Sequence, residues 1–304
     1  MNARIQDLPF DPTTLKGLSE KLLRSHHQNN YSGAVKRLNA IRAQLGGLAF
    51  ATAPVFQLNG LKREELIATN SMLLHELYFA SLGGDALPME PAMALALSAN
   101  FGRVERWRDE FVALGKALGG GSGWVLLTFQ PREGTLVNQW AADHAHAVAG
   151  GVPILAMDLY EHSYPMDFGA AAGQYVDAFM DNIDWARVYG RYQAAVEQGS
   201  EAIGVSADEV GGAALLDVRR AGVFAQADAL IEGAQWRDPE NVGTWCAELP
   251  QGRDVVVYCV YGHEVGRATA LRLRAAGIEA RFLRGGFDRW KAAGRPLQSK
   301  GGQR

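Results

Sequence analysis

Six of the seven histidines lie in the first part of the chain, at His26, His27, His75, His144, His146 and His162. Imidazole is the commonest protein metal ligand, and its charge changes near neutral pH. Taken singly, each of these residues also reads as a surface histidine or a satisfied core one. The pair Asp158 and His162 says more, because the short apolar run from Gly151 to Met157 ends at Asp158 and sets both at a strand end beside a loop. One carboxylate with imidazoles suits iron or manganese, whereas a structural zinc site would favour cysteines, absent from this part of the chain. Spacing alone leaves ligation and ordinary packing equally open. A second reactive group is Cys259, between the apolar run Val255–Tyr258 and a helical stretch from His263. Loop N–H groups and a helix N-terminus there lower a thiol's pKa and predict a thiolate. The plain alternative is an inert buried cysteine. Cys246, on a predicted helix, reads as structural.

The elements that must carry these residues follow from periodicity. Helical spacing runs from residue 13 to 45, through Leu15, Leu18, Leu22, Leu23, Val35, Leu38, Ile41 and Leu45, and stops at Gly46 and Gly47. A second helix is predicted from Arg63 to Leu82, so the chain opens with a helical hairpin. Two further helices are predicted after Pro91, through Trp107 and Phe111. The glycines from 119 to 123 then break the pattern. Strands are predicted at 124–129, 135–138 and 151–157, the first two separated by a turn at 131–134. One helix, from Gln174 to about Tyr192, closes the unit. Helices first and a small sheet afterwards make an α+β domain over residues 1–198, with the hairpin in 1–95 and the α/β part in 96–198. A linker is expected at about 195–203. From 204 to 298 strands alternate with helices (213–218, 254–259, 263–276, 279–283, 286–290), which implies a second, α/β domain with a parallel sheet. Two domains also suit a length of 304 residues.

The first domain resembles the iron/manganese superoxide dismutases over about residues 7 to 195. The resemblance rests on ordered blocks: Leu8, Pro9, Phe10 and Asp11; His26 with Leu38 and Asn39; His75, Glu76, Leu77, Tyr78 and Phe79; Gly121, Ser122, Gly123 and Trp124; Asp158, Leu159, Tyr160, Glu161 and His162; and Asn182, Ile183, Asp184 and Trp185. It implies that His26, His75, Asp158 and His162 hold one Fe or Mn ion per chain, with solvent as a fifth ligand, and that superoxide is the substrate. Tyr78, Trp124, His144, Tyr160 and Glu161 would surround the ion. The chain departs from the family pattern around the ligands. The family's gateway tyrosine falls on Ala34, the histidine four residues after the first ligand falls on Asn30, and a second tyrosine falls on Pro165. Tyr31, one turn before Ala34, is expected to supply the gateway hydroxyl. Where iron members place a glutamine, this chain has Ser71. His144 resembles a histidine used by some archaeal members, although ungapped counting puts Asp143 at that position, so the resemblance leaves the metal open. Glu161 is retained, and a homodimer or higher homo-oligomer is expected.

The second domain resembles rhodanese-type sulfurtransferases over about residues 204 to 297, through Leu215–Arg219, Tyr258–Gly262 and Leu283–Trp290. This implies that Cys259 is a persulfide-carrying nucleophile served by a small sulfur donor, with Asp217 and Arg219 as a structural pair. Glu264 stands where many active members have arginine, and a negative charge there predicts weak thiosulfate activity. The leading expectation is thus a superoxide dismutase with an accessory rhodanese-like domain. The alternative is a sulfurtransferase or persulfide sensor whose metal domain is structural or regulatory. Hydrophobic content of 48%, charged content of 21% and a net charge of -3 fit a soluble protein and give no signal for nucleic acid. No apolar run is long enough for a membrane span, and no signal core precedes Pro9 and Pro12. With two cysteines, a cytoplasmic location is expected.

Overall fold

The computed structural model describes residues 2–83, 88–249, 252 and 254–300. Residues 13–19, expected as helix, are irregular. Ser19 ends them by accepting the Leu22 N–H with its side chain, and this cap starts α1 (Glu20–Ser25). A π-turn over His26–Tyr31 then leads into α2 (Ser32–Gly46). Its wider hydrogen-bond ring is plain at Ser32, whose N–H reaches the carbonyl of His27. The Ser32 hydroxyl donates to the same carbonyl at 3.0 Å. The second arm is α3 (Val55–Ala80), longer at its start than the 63–82 expected, and α2 packs along it through Leu38, Ile41, Leu45 and Ala68.

Pro91, at the first turn where a missing N–H costs nothing, opens α4 (Pro91–Phe101), and α5 (Val104–Leu118) follows. The three strands are antiparallel in the order β2-β1-β3, with β1 (Trp124–Gln130) central between β2 (Thr135–Ala141) and β3 (Val152–Asp158). Covered on both faces, β1 reads as an almost continuous apolar run, and its first six residues are buried. Short α6 (Pro165–Phe168) precedes α7 (Ala172–Asp181) and α8 (Trp185–Ser200). The single helix expected over 174–192 is therefore two. Asp184 breaks it: its carboxylate caps α8 by accepting the Arg187 N–H, and its own N–H goes to the carbonyl of Ser81.

The remaining elements are β4 (Gly204–Val205), β5 (Ala214–Asp217), α9 (Ala221–Ala225), β6 (Ala229–Ile231), β7 (Gln235–Trp236), α10 (Val242–Trp245), β8 (Val255–Tyr258), α11 (Glu264–Ala275), β9 (Ala280–Leu283), α12 (Gly286–Ala292) and β10 (Leu297–Ser299). Five strands form a sheet in the order β4-β9-β8-β5-β7, every pairing parallel, as the strand-helix alternation requires. β6 and β10 form a separate antiparallel pair.

The stretch expected as a linker is ordered structure. α8 runs on to Ser200, a 3-10 turn covers Glu201–Ile203, and Ala195, Val196 and Ser200 are buried. The apolar core of the first unit also takes in Ala268 and Leu271 of α11. Gly134, in the β1–β2 turn, lies so close to α11 that a Cβ there would come within 2.8 Å of the Ala268 carbonyl oxygen, and its own carbonyl accepts from Arg272. A mobile tether would carry polar residues and few contacts. This one is apolar on one face and packed.

Candidate metal centre and cysteine pocket

Four elements converge on one point. The π-turn presents His26, α3 presents His75, the end of β3 presents Asp158, and the turn after it presents His162. One ligand atom from each lies within 4.8 Å of all the others. Asp158 is held by register, since β1 and β3 pair Trp124 with Asp158. Its Oδ1 accepts the Tyr160 N–H at 2.8 Å, which turns Oδ2 towards the histidines. From Oδ2 the Nε2 atoms of His26, His162 and His75 stand 3.1, 3.1 and 3.5 Å away, and those of His75 and His162 are 3.3 Å apart.

The donor chemistry is that of a cation site. His75 donates Nδ1–H to the carbonyl of Ser71, one helical turn back, at 2.6 Å, so its Nε2 carries a lone pair. That lone pair faces a carboxylate oxygen, and two acceptors turned on each other repel unless a cation lies among them. Burial lowers the pKa of His26 and pushes that of His75 down to about 3, which favours the neutral form of these two imidazoles. Burial alone would raise the pKa of Asp158, but the charge of His162 and hydrogen bonds from His162 and His26 outweigh it and keep the carboxylate ionised. Donors on bonds of ~2.1 Å stand ~3.0 Å apart at right angles and ~3.6 Å apart at 120°. The separations among Asp158, His162 and His75, and that from Asp158 to His26, fall in that range, so the residues fit a transition-metal ion.

Around the cluster, Tyr160 stacks between His144 and His162, with ring centroids 4.6 and 5.5 Å away. Trp124 Nε1–H donates to His144 Nδ1 at 2.9 Å, which leaves Nε2 as the nitrogen that carries hydrogen on His144. Tyr78 packs on His26 at 5.0 Å and meets the hydroxyl of Tyr175. Three of the four cluster residues are sealed, whereas the side chain of His162 is 24% exposed, so small solutes approach from its side. Glu161 is exposed beside it.

The second candidate site lies between β8 and α11. Cys259 is 6% exposed and lines a cavity of about 240 Å³ together with Arg219, Arg220, Tyr261, His263 and Glu264 of its own unit and Ala92 and Tyr189 of the first. The thiolate expected here is corrected. Burial pushes the thiol up; N–H groups of Gly266, Gly262 and His263 pull the other way, but the charge of Glu264 adds to the upward shift. Asp217 and Arg219 do form the expected buried ion pair, with Tyr258 donating to the same carboxylate. Cys246 is half-buried in a 3-10 turn, with its Sγ near the carbonyl of Gly243.

Residues 89–191 match the C-terminal domain of the iron/manganese superoxide dismutases, and residues 205–293 match the rhodanese-like domain. The chain is 65% identical over 192 residues to the iron superoxide dismutase of Cupriavidus metallidurans, a match that covers 63% of this chain and 97% of that protein. The chain belongs to the iron/manganese superoxide dismutase family. Its dismutase domain is also 35% identical over 198 residues to manganese superoxide dismutase 1 of Halobacterium salinarum (63% of this chain, 95% of that protein). With the iron superoxide dismutase of Aquifex pyrophilus it shares 31% over 194 residues (61% and 89%). A rhodanese-like domain is fused behind it.

Several family-based expectations change in this dismutase. Tyr31 is buried with its ring 6.5 Å from that of His75, but its hydroxyl accepts the Gln6 N–H and donates to Glu76, each at 2.9 Å. Both hydrogen bonds run to groups outside the four-residue cluster, so the hydroxyl expected at the gateway is engaged elsewhere. Between the two candidates in the 142–146 loop, His144 is the one against the cluster; Asp143 accepts the Ala145 N–H at the surface. Sequence reasoning missed the Ser71 carbonyl as the partner of His75, although i−4 spacing on a helix was a usable signal. It also missed Tyr189 and Gln193 on α8, which donate to Glu264 at 2.8 and 3.1 Å. Nothing local marks a contact across 70 residues.

Proposed function

We propose that this protein dismutates superoxide to oxygen and hydrogen peroxide at a centre formed by His26, His75, Asp158 and His162, holding one ion per chain, and that the ion is iron. The observation that carries the reading is the convergence of lone pairs: His75 Nε2 and the Asp158 carboxylate face each other with His162 alongside. Iron is the metal in the name of the relative at 65% identity, while manganese is that of the haloarchaeal relative at 35%. When bound, such an ion supplies one-electron chemistry in both directions, as the two halves of a dismutation demand.

The side chains supply the rest. Asp158 contributes the one fixed negative charge, and three imidazoles, each neutral once it binds a metal, would leave the site able to tolerate two oxidation states. Ser71 fixes the tautomer of His75 through its carbonyl, and Tyr160 N–H fixes the rotamer of Asp158. Trp124 orients His144 so that its Nε2–H is available, and with Tyr160 and Tyr78 they exclude bulk water from all but the His162 side. Glu161, exposed next to His162, is suited to meet a second copy of the chain in a homodimer. Domain limits of 1–198 and 204–298 fit the two sheets, and two free cysteines suit a reducing, cytoplasmic setting.

The test is metal content and superoxide decay measured on one preparation of wild type and His162→Ala. Iron near one equivalent and decay at least about 100-fold faster than the variant supports the reading. A metal-loaded wild type no faster than His162→Ala overturns it. A second reading, sulfur transfer at Cys259, is favoured by the cavity beside that thiol. It is compatible with the first, because the two sites use different residues.

A further inference from the structure

The Cys259 cavity is not built by the rhodanese-like domain alone. Ala92 of α4 and Tyr189 of α8 form part of its wall. Glu264, the first residue of α11, is 7% exposed and is held from the dismutase side: Tyr189 donates its hydroxyl to Oε1 and Gln193 its amide to Oε2. Both donors are neutral side chains, so the dismutase side holds the carboxylate without placing a cation on it. Arg219 is balanced by Asp217, and Arg220 and His263 are the other basic side chains in the wall. We propose that helix α8 of the dismutase domain fixes Glu264 as the specificity residue of the Cys259 pocket, which thereby takes cationic sulfur donors, aminothiol hydropersulfides, in preference to anionic donors such as thiosulfate.

The upward shift of the thiol agrees: burial is its main cause, and the charge of Glu264 adds to it. An ammonium group beside the donor sulfur offsets that charge as it binds and eases loss of the thiol proton; a second anion adds to it. The transfer balances without an added oxidant or reductant. Cys259 Sγ bonds to the outer sulfur of the hydropersulfide, the donor's S–S bond breaks, and its inner sulfur leaves as the aminothiol. The Cys259 proton goes to that leaving thiol, and Cys259 ends as the hydropersulfide.

The inference rests on the sulfur-transfer reading, and the experiment separates the two. In Cys246→Ser, Cys259 is the one thiol left of two. Its rates of modification by cationic, neutral and anionic methanethiosulfonates, each divided by the rate for a free thiol, give its charge preference. The expected preference for cation over anion is about tenfold or more. It should collapse towards one in Glu264→Gln, shrink in the pair Tyr189→Phe and Gln193→Ala, and widen in Arg220→Ala. Rising salt should shrink it without any change of sequence, which keeps the test sharp where Glu264→Gln does not fold. A ratio near one in Cys246→Ser, or one unmoved by both Glu264→Gln and salt, overturns the proposal. Sulfur loading is followed separately, by intact mass after exposure to an aminothiol hydropersulfide and to thiosulfate. Loading by both at equal rates overturns the specificity and leaves sulfur transfer standing. No loading by either overturns sulfur transfer itself.

Discussion

At the scale of single residues, charge and proton positions decide what each side chain does. Asp158→Asn keeps the shape but removes the only carboxylate of the four-residue cluster, and should lower iron affinity by about 100-fold or more, read by chelator competition. Trp124→Phe deletes the N–H that orients His144; about a tenfold loss of superoxide decay at unchanged iron content is expected. The buried imidazoles make a pH prediction for the metal-free protein. His75 titrates at about 3 when folded and near the ordinary 6.5 when unfolded. The unfolded chain therefore binds more protons below 6.5, and the stability present above that pH is lost as the pH falls towards 3. The urea midpoint of the metal-free form should drop steadily between pH 7 and pH 5; a flat profile would count against the buried neutral imidazoles. The four residues of the cluster were legible through the order of the family-like motifs, whereas spacing alone left ligation and ordinary packing equally open. The hydroxyl of Tyr31 and the protonation of Cys259 were not legible, since both depend on how deeply a group is covered and on what reaches it from distant segments.

Among the elements, the π-turn is the one that sets the metal site. Gly123 makes a testable prediction. It precedes Trp124 with φ +145°, and a Cβ there would stand 2.3 Å from the Ala141 carbonyl oxygen. Gly123→Ala should cost about 3 kcal/mol in unfolding free energy, from backbone strain and overpacking together. Most helices and strands were legible because their apolar positions repeat with period 3.6 or run unbroken through the sheet. A single extra residue in a helical hydrogen-bond ladder leaves no such trace, and neither does the break at Asp184, where apolar spacing continues on both sides.

Across the whole molecule, the sequence divides the chain into two units of different rhythm, while the structure joins them. The signal for a tether at 195–203 was an absence of strong pattern; the contacts that fill it come from Ala268 and Leu271, some 70 residues away. Tyr189→Phe removes a donor from a buried carboxylate and should lower unfolding free energy by about 2 kcal/mol, measured by urea denaturation. Its effect on superoxide decay should be small, because Tyr189 lies outside the metal cluster. The packing of Gly134 against α11 carries a consequence for motion. With α8 continuous to Ser200 and the β1–β2 turn pressed onto α11, neither unit has room to reorient alone. Amide relaxation of labelled protein should then give both units one shared rotational correlation time, that of the whole particle, and Gly134→Leu, by wedging the turn off the helix, should split it into two.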